Sequence, residues 1–286
     1  MTMLEYYSQS SPFTDVSNYR HLIKDLPTDI PDLCKTLQGL IVHYIASGIN
    51  FSPERKAEVD TRYAKDILKT MCTLDASPLS VARNPEKCFV GCCRDFATLF
   101  VSILRERGIP ARSRIGFAPY LNPNFNHDHV VAEYWNGQKW VIVDPQITPE
   151  MVRFNPHDMP EDSFITASQA WQMLRQGKIN PDLYGVMPFL PYKGDWFIRN
   201  YVILELAALN KHEMLLWDWW GAMSDKLEGN LGLIDKAAEL ILQGDSKWQE
   251  CLKLFESETF NVPDEVMCYS PTGVTRKEKI KKVVIA

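Results

Sequence analysis

The chain has 286 residues, 45% hydrophobic and 23% charged, which is the balance of a soluble globular protein able to bury one large core or two smaller ones. A formal net charge of −5 gives no electrostatic attraction to nucleic acid or to an anionic bilayer, and no apolar run approaches the roughly 20 residues that span a membrane. Seven irregularly spaced cysteines, and an opening MTMLEYYSQSSPFTDVSNYR without basic or apolar signal regions, lead us to expect a reducing, cytoplasmic setting.

In chain order, Leu33, Leu37, Leu40, Ile41, Tyr44 and Ile45 recur at helical spacing and predict a helix over 30–49. A second helix is expected from Pro53 to about Met71. Pro78, Pro85 and Gly91 among polar residues predict a loop over 74–92, at the rim of whatever site follows. Next, CRDFATLFVSILRERGIPAR (93–112) reads as a helix beginning near Cys93: Phe96, Leu99, Phe100, Ile103 and Leu104 form one stripe, Gly108 stops it and Pro110 prevents its continuation. Residues 112–118 alternate as a strand. The stretch 119–128, with Pro119, Pro123 and three asparagines, reads as a loop able to gate a substrate.

The segment HVVAEYWNGQKWVIVD (129–144) carries the strongest local signal, an Asn136-Gly137 pair between two strand-like runs. A two-residue loop there opposes Trp135 to Gln138 and, counting outward, His129 to Asp144. Opposed side chains on an antiparallel pair have Cβ atoms roughly 4.5–5.5 Å apart, so an imidazole and a carboxylate come within hydrogen-bonding reach. That is the base and its orienter in a nucleophilic triad. The nucleophile is then Cys93, where the unpaired N–H groups and positive dipole of a helix start, with a nearby imidazolium, lower a thiol's pKa.

The runs Cys-Arg-Asp-Phe-Ala at 93–97, Gly-Ile-Pro-Ala-Arg at 108–112, Asp128-His129 followed by Glu133-Tyr134-Trp135, and Val143-Asp144-Pro145 resemble the core of the transglutaminase-like superfamily. Residues 194–221 are similar to the C-terminal part of bacterial transglutaminase-domain proteins. The resemblance implies an α+β fold: a papain-like core of N-terminal helices and a cysteine helix packed on an antiparallel sheet, within 1–150. A helical C-terminal subdomain (151–270) and a basic tail (271–286) would follow. It also implies catalytic roles for Cys93, His129 and Asp144, with no cofactor, in thiol-dependent acyl transfer or hydrolysis on a small amide, a peptide or a protein. The first tryptophan is Trp135, so the upstream tryptophan with which crosslinking transglutaminases hold the oxyanion is missing. The Cys93 N–H, with Tyr63 or Gln38, is the expected substitute, and Val130 stands where many relatives have an aromatic residue. No loop has EF-hand spacing, and calcium activation is not expected.

Two other classes compete. Cys88, Cys92, Cys93, His127 and His129 make up a candidate metal-binding module, although the paired CxxC unit is missing; the other alternative is a non-catalytic binding scaffold of the same fold. Among single residues, Cys92 lies about 100° from Cys93 around the helix and is expected to pack. His127 is expected in a loop, and Asp128 either tunes the imidazole or caps a turn. Glu133 and Trp135 share the His129 face by alternation. Asp95 and Arg94 are expected to be structural or loop-holding. After Pro145, two or three helices are predicted between about 164 and 256. Trp217, Trp219 and Trp220 are read as core packing, and RKEKIKK (276–282) as a solvated tail.

Overall fold

The computed structural model, which describes residues 1–281, opens with helices α1 (Met3–Ser8), α2 (Arg20–Ile23) and α3 (Ile30–Gln38). The side chain of Asp29 caps α3 by accepting from the Asp32 N–H, and Pro31 sits in its first turn. The helix expected to reach residue 49 stops at Gln38. A Cβ on Gly39 would come within 2.9 Å of the Ala82 methyl, so the 78–84 loop crosses there. Beyond it Ile41–His43 form β1, which pairs in parallel with β2 (Phe89–Gly91) inside the segment predicted as loop. The apolar residues there were helical by period, but strand pairing wins.

The second predicted helix is also divided, into α4 (Pro53–Lys56) and α5 (Ala64–Leu74). Between them Arg62 turns inward and forms a buried ion pair with Asp218, Nη2 to Oδ1 2.6 Å. Helix α6 (Cys93–Glu106) starts where expected. The Asp95 carboxylate accepts from the Cys92 N–H at 2.9 Å, and Gly108 adopts the left-handed conformation (φ 72°) that ends the helix.

The main sheet runs in the order β5 (Trp140–Val143), β4 (Asn126–Trp135), β3 (Ala111–Ala118), β6 (Ile165–Thr166), all antiparallel. The two-residue β7 (Tyr184–Gly185) lies parallel to the start of β4. Gly116 is required where β6 crosses, since a Cβ there would stand 2.2 Å from the Ile165 carbonyl oxygen. Strand β4 begins three residues earlier than predicted, so His127 and Asp128 belong to the sheet rather than to a loop.

Helices α7 (Ala167–Arg175), α8 (Asp195–Leu209), α9 (Leu231–Leu242) and α10 (Trp248–Phe255) follow, more than predicted. Every side chain from Phe197 to Leu209 in α8 is buried, which removes any polar stripe from its sequence. The tryptophan cluster is not helical: Asp218–Trp219 form β8, which pairs with β9 (Glu265–Tyr269). Thr275–Lys279 form β10 against β9, a correction to the solvated tail. Arg276 turns inward to pair with Asp60 at 3.0 Å, while Lys277 and Lys279 stay exposed; Lys282, the end of the basic run, lies outside the described residues.

The two halves share one core. Cys93, Ala97, Ile115, Phe117 and Val130 pack in the same cluster as Trp171, Phe197, Tyr201 and Val202. Fully buried Arg105 on α6 pairs with Glu213 (2.8 Å), and the Tyr7 hydroxyl donates to the Leu209 carbonyl. Among the described residues, no helix is long and apolar enough to cross a membrane.

Candidate active site

The hairpin that positions the site does not have the predicted turn. Trp135 pairs with Trp140, so the loop is the four residues Asn136–Lys139, closed by Asn136 Oδ1 accepting from the N–H groups of Gln138 (3.0 Å) and Lys139 (2.9 Å). The register is displaced by two residues, the last paired residues are Ala132 and Val143, and His129 does not lie directly opposite Asp144. An even displacement leaves each side chain on its own face of the sheet, and diagonal neighbours remain within reach of long side chains. The contact survives: His129 Nε2 to Asp144 Oδ2 is 2.7 Å.

Asp144 is fully buried, and its oxygens are occupied. Besides the imidazole, Oδ2 accepts the Tyr120 hydroxyl at 2.7 Å, while Oδ1 accepts the Gln146 N–H at 3.0 Å. The Tyr120 ring stands edge-on to His129, centroids 6.1 Å apart at 87°. Tyr120 was not identified from sequence; it sits in the Pro/Asn-rich stretch, whose only signal was its position before the histidine strand. On the β5 side, β4 is paired by β7 along 126–127 and by β5 along 132–135. Residues 128–131 lie between these two pairings, and the site occupies that interval.

Cys93 is the first residue of α6 and is 5% exposed. Its sulfur lies close enough to Cys92 and to His129 for both to bear on its titration. Because Nε2 is committed to Asp144, Nδ1 is the ring nitrogen left for the sulfur. The Cys92 thiol, by donating to Cys93, brings the Cys93 pKa down to about 6; burial opposes this, and the His129 hydrogen bond and charge reinforce it. Burial also works against a charged His129, but Asp144 and the Cys93 sulfur outweigh it, and the imidazole pKa is raised well above its ordinary value. At neutral pH the pair is therefore thiolate and imidazolium. Cys92, expected only to pack, bears on the titration of the nucleophilic sulfur.

Two further side chains, at and just after the end of β1, lie within electrostatic range of the site. Tyr44 follows β1, and its hydroxyl bonds to no described residue; burial pushes its pKa up, and the charges of Cys92, Asp128 and Cys93 add to that. His43 stacks on Tyr44 (5.3 Å, 18°), and its Nδ1 accepts from the N–H groups of Ile45 and Ala46. Burial, then the neighbouring His129, pushes His43 down to about 4, so it stays neutral. Asp128 accepts a short hydrogen bond from the Tyr201 hydroxyl of α8. The predicted oxyanion donors are engaged elsewhere: Gln38 Nε2 donates to the Pro145 and Ile147 carbonyls at 3.2 Å, and the Tyr63 hydroxyl accepts from the Lys281 N–H.

The remaining candidates are structural. His127 Nδ1 bonds the Val186 carbonyl (2.8 Å), and Glu133 pairs with Arg112 (2.6 Å) and Arg114 (2.8 Å). Val130 is buried in the core beside Cys93, and Trp135 packs edge-on against Trp140. Arg94 is buried, bonded to Asp95 and to the carbonyls of Thr61, Arg62 and Glu213. The metal-binding module is not formed. Cys88 Sγ turns to the Gly39, Arg83 and Asn84 carbonyls, and no group of three or more His, Cys, Asp or Glu among the described residues is placed to hold a metal ion.

A helix-start cysteine facing a histidine held by a buried aspartate, on an antiparallel sheet, is machinery for thiol-dependent catalysis. Residues 43–145 match the model of the transglutaminase-like superfamily, so the chain carries a transglutaminase-like core over that stretch. Among solved structures, a protein from Cytophaga hutchinsonii provisionally assigned as a cysteine protease is 18% identical with a TM-score of 0.36, over 58% of this chain and 48% of that one. This chain thus aligns with about half the length of that protein. No curated protein matches.

Proposed function

We propose that the protein is a cysteine acyltransferase or hydrolase that acts on carboxamide or peptide bonds through a thioester on Cys93. The observation that carries this is the grouping of Cys93 at a helix start with His129, itself hydrogen-bonded to buried Asp144, which together bring the thiol pKa to about 6. The Cys93 thiolate attacks the acyl carbon, and the developing oxyanion is met by the Cys93 N–H and the free Tyr44 hydroxyl. His129 then gives its proton to the leaving amine as the C–N bond breaks and the thioester forms. In the second half, water or an amine attacks the thioester while His129 removes its proton, and the sulfur leaves as thiolate beside the recharged imidazole. Asp144 fixes the ring orientation and offsets its charge throughout. Glutamine peptides and small primary amides, assayed for ammonia release and for a covalent acyl adduct by intact mass, test the reading. Donor-dependent ammonia and a matching adduct in the wild type, both lost in Cys93→Ala, are the expected result; release that persists in Cys93→Ala rejects it.

A further inference from the structure

The nucleophile has a second thiol as its immediate neighbour. Cys92 and Cys93 are consecutive, both free and both buried, at 3% and 5% exposure, where β2 turns into α6. Cys88 is set apart from them: its sulfur donates to the carbonyls of Gly39, Arg83 and Asn84, and the extended strand β2 separates it from Cys92 by roughly 10 Å of chain. The two neighbours differ in state. Cys93 is drawn down to about 6 and is a thiolate at neutral pH, whereas Cys92 is held up and keeps its proton. A thiolate is the form that hydroperoxides oxidise, and a thiol beside the resulting sulfenic acid condenses with it. The joint between the two is loosely tied. Cys92 is the extended residue before the helix (φ −133°, ψ −177°), and the helical bond from the Phe96 N–H to its carbonyl is long at 3.5 Å. Turning the peptide between the sulfurs therefore costs the Asp95 N–H contact to the same carbonyl, 2.9 Å, and little more.

We propose that Cys92 and Cys93 form a reversible oxidation site, in which a hydroperoxide oxidises Cys93 and Cys92 resolves it as a disulfide between adjacent residues that keeps the nucleophile in a protected form. With hydrogen peroxide, the Cys93 sulfur attacks one oxygen, the O–O bond breaks, and the departing hydroxide takes the His129 proton and leaves as water; the sulfur is oxidised by two electrons and the peroxide reduced by two. The Cys92 sulfur then bonds to the Cys93 sulfur as the S–O bond breaks, and the Cys92 proton leaves with the displaced hydroxide as a second water. A channel that admits an acyl donor to Cys93 admits hydrogen peroxide, and the second step is internal and needs no channel. Consecutive Cα atoms stand about 3.8 Å apart, below the roughly 4.4–6.8 Å of ordinary disulfides, so the closed ring is strained and a dithiol reopens it readily. Without Cys92 the sulfenic acid goes on to the sulfinic acid, which thiols do not reverse. The proposal rests on the Cys93 thiolate of the thioester reading above, and not on turnover.

The test adds hydrogen peroxide to the full-length protein at pH 7, blocks the remaining thiols with iodoacetamide, and reads the intact mass and the tryptic fragment Cys88–Arg94 before and after dithiothreitol. The wild type is expected to lose two hydrogens and two alkylation sites, with fragment ions placing the link between Cys92 and Cys93, and to regain both sites with dithiothreitol. Cys92→Ser, which keeps a capping side chain at the start of α6, should trap a sulfenic acid that dimedone labels and then gain two oxygens that dithiothreitol does not remove, while Cys88→Ser should behave as the wild type. A wild type that does not lose the two hydrogens, a link that engages Cys88, or a Cys92→Ser protein that melts cooperatively and recovers as completely as the wild type overturns the proposal. None of these readouts needs a substrate. A protein that releases ammonia through Cys93 yet fails them keeps the thioester reading and loses the oxidation site; one that closes the disulfide but forms no acyl adduct does the reverse.

Discussion

Tyr120 donates its hydroxyl to Asp144 Oδ2 at 2.7 Å, the same oxygen that receives the His129 ring. The tyrosine thus restrains the carboxylate that restrains the imidazole. Tyr120→Phe removes one hydrogen bond to a charged group, worth about 1.5 kcal/mol, and is expected to lower kcat roughly tenfold with little change in KM. A fall in KM affinity alone would place Tyr120 in substrate binding instead.

The thiol's pH response follows from its neighbours. Cys93 titrates near 6, so its alkylation should rise through about pH 6 and then level off. Burial holds Cys34, Cys251 and Cys268 up, the last two at about 11, and they should label only in strong base. His129→Ala withdraws the imidazolium and should raise the Cys93 thiol and reduce its advantage at pH 7, with the Cys92 contribution remaining. Turnover needs thiolate and imidazolium together. Its acid limb should therefore fall near pH 6 and its alkaline limb above the ordinary histidine range, since the His129 pKa is raised. A pH–rate profile checks both limbs.

Tyr44→Phe separates the oxyanion role from packing. The ring and its stacking on His43 remain, and only the unpartnered hydroxyl is lost. Removing one such donor costs on the order of 10²–10³ in turnover, so a drop of that size in kcat with unchanged Cys93 alkylation is expected. An unaffected kcat would leave the Cys93 N–H as the sole donor of the pair.

Arg62 and Asp218 hold the stretch between α4 and α5 against β8 through two hydrogen bonds, 3.0 Å and 2.6 Å. Asp218→Ala strands a buried guanidinium and should destabilise the fold by about 3–5 kcal/mol. Replacing both residues by apolar ones of similar size, Arg62→Met with Asp218→Leu, should recover most of that loss. Urea denaturation of the three proteins decides it, and additive losses in the double variant would contradict the ion-pair account.

Where the sequence was legible, it was because one local signal agreed with one tertiary demand. Helix α6 has an apolar stripe, a dipole-favoured start and a glycine stop, and its bounds were readable to within a residue or two. The strands from Ala111 to Val143 alternate cleanly enough to be seen. The segment 39–49 was not, because its apolar residues satisfy a helical period while Gly39 and the partner strand 89–91 make it a parallel edge. Helix α8 has no polar face to give it a period. The site was half visible: Cys93, His129 and Asp144 are carried by motifs, whereas Tyr44, Tyr120 and Tyr201 come from three separate segments that only the fold brings together. Cys92 was misjudged because the helical angle between neighbours was applied to a residue that is not yet in the helix.

The four-residue loop of the β4–β5 hairpin has a consequence for insertions and deletions. Lengthening or shortening that loop in a way that slides β5 by an even number of positions keeps Val141 and Val143 in the apolar cluster and leaves the Asp144 carboxyl on the imidazole side. An odd slide would turn the valines to solvent and the carboxyl away together. Turn chemistry and loop length at this hairpin can therefore vary while burial of two valines polices the geometry of the acid that follows them in the chain.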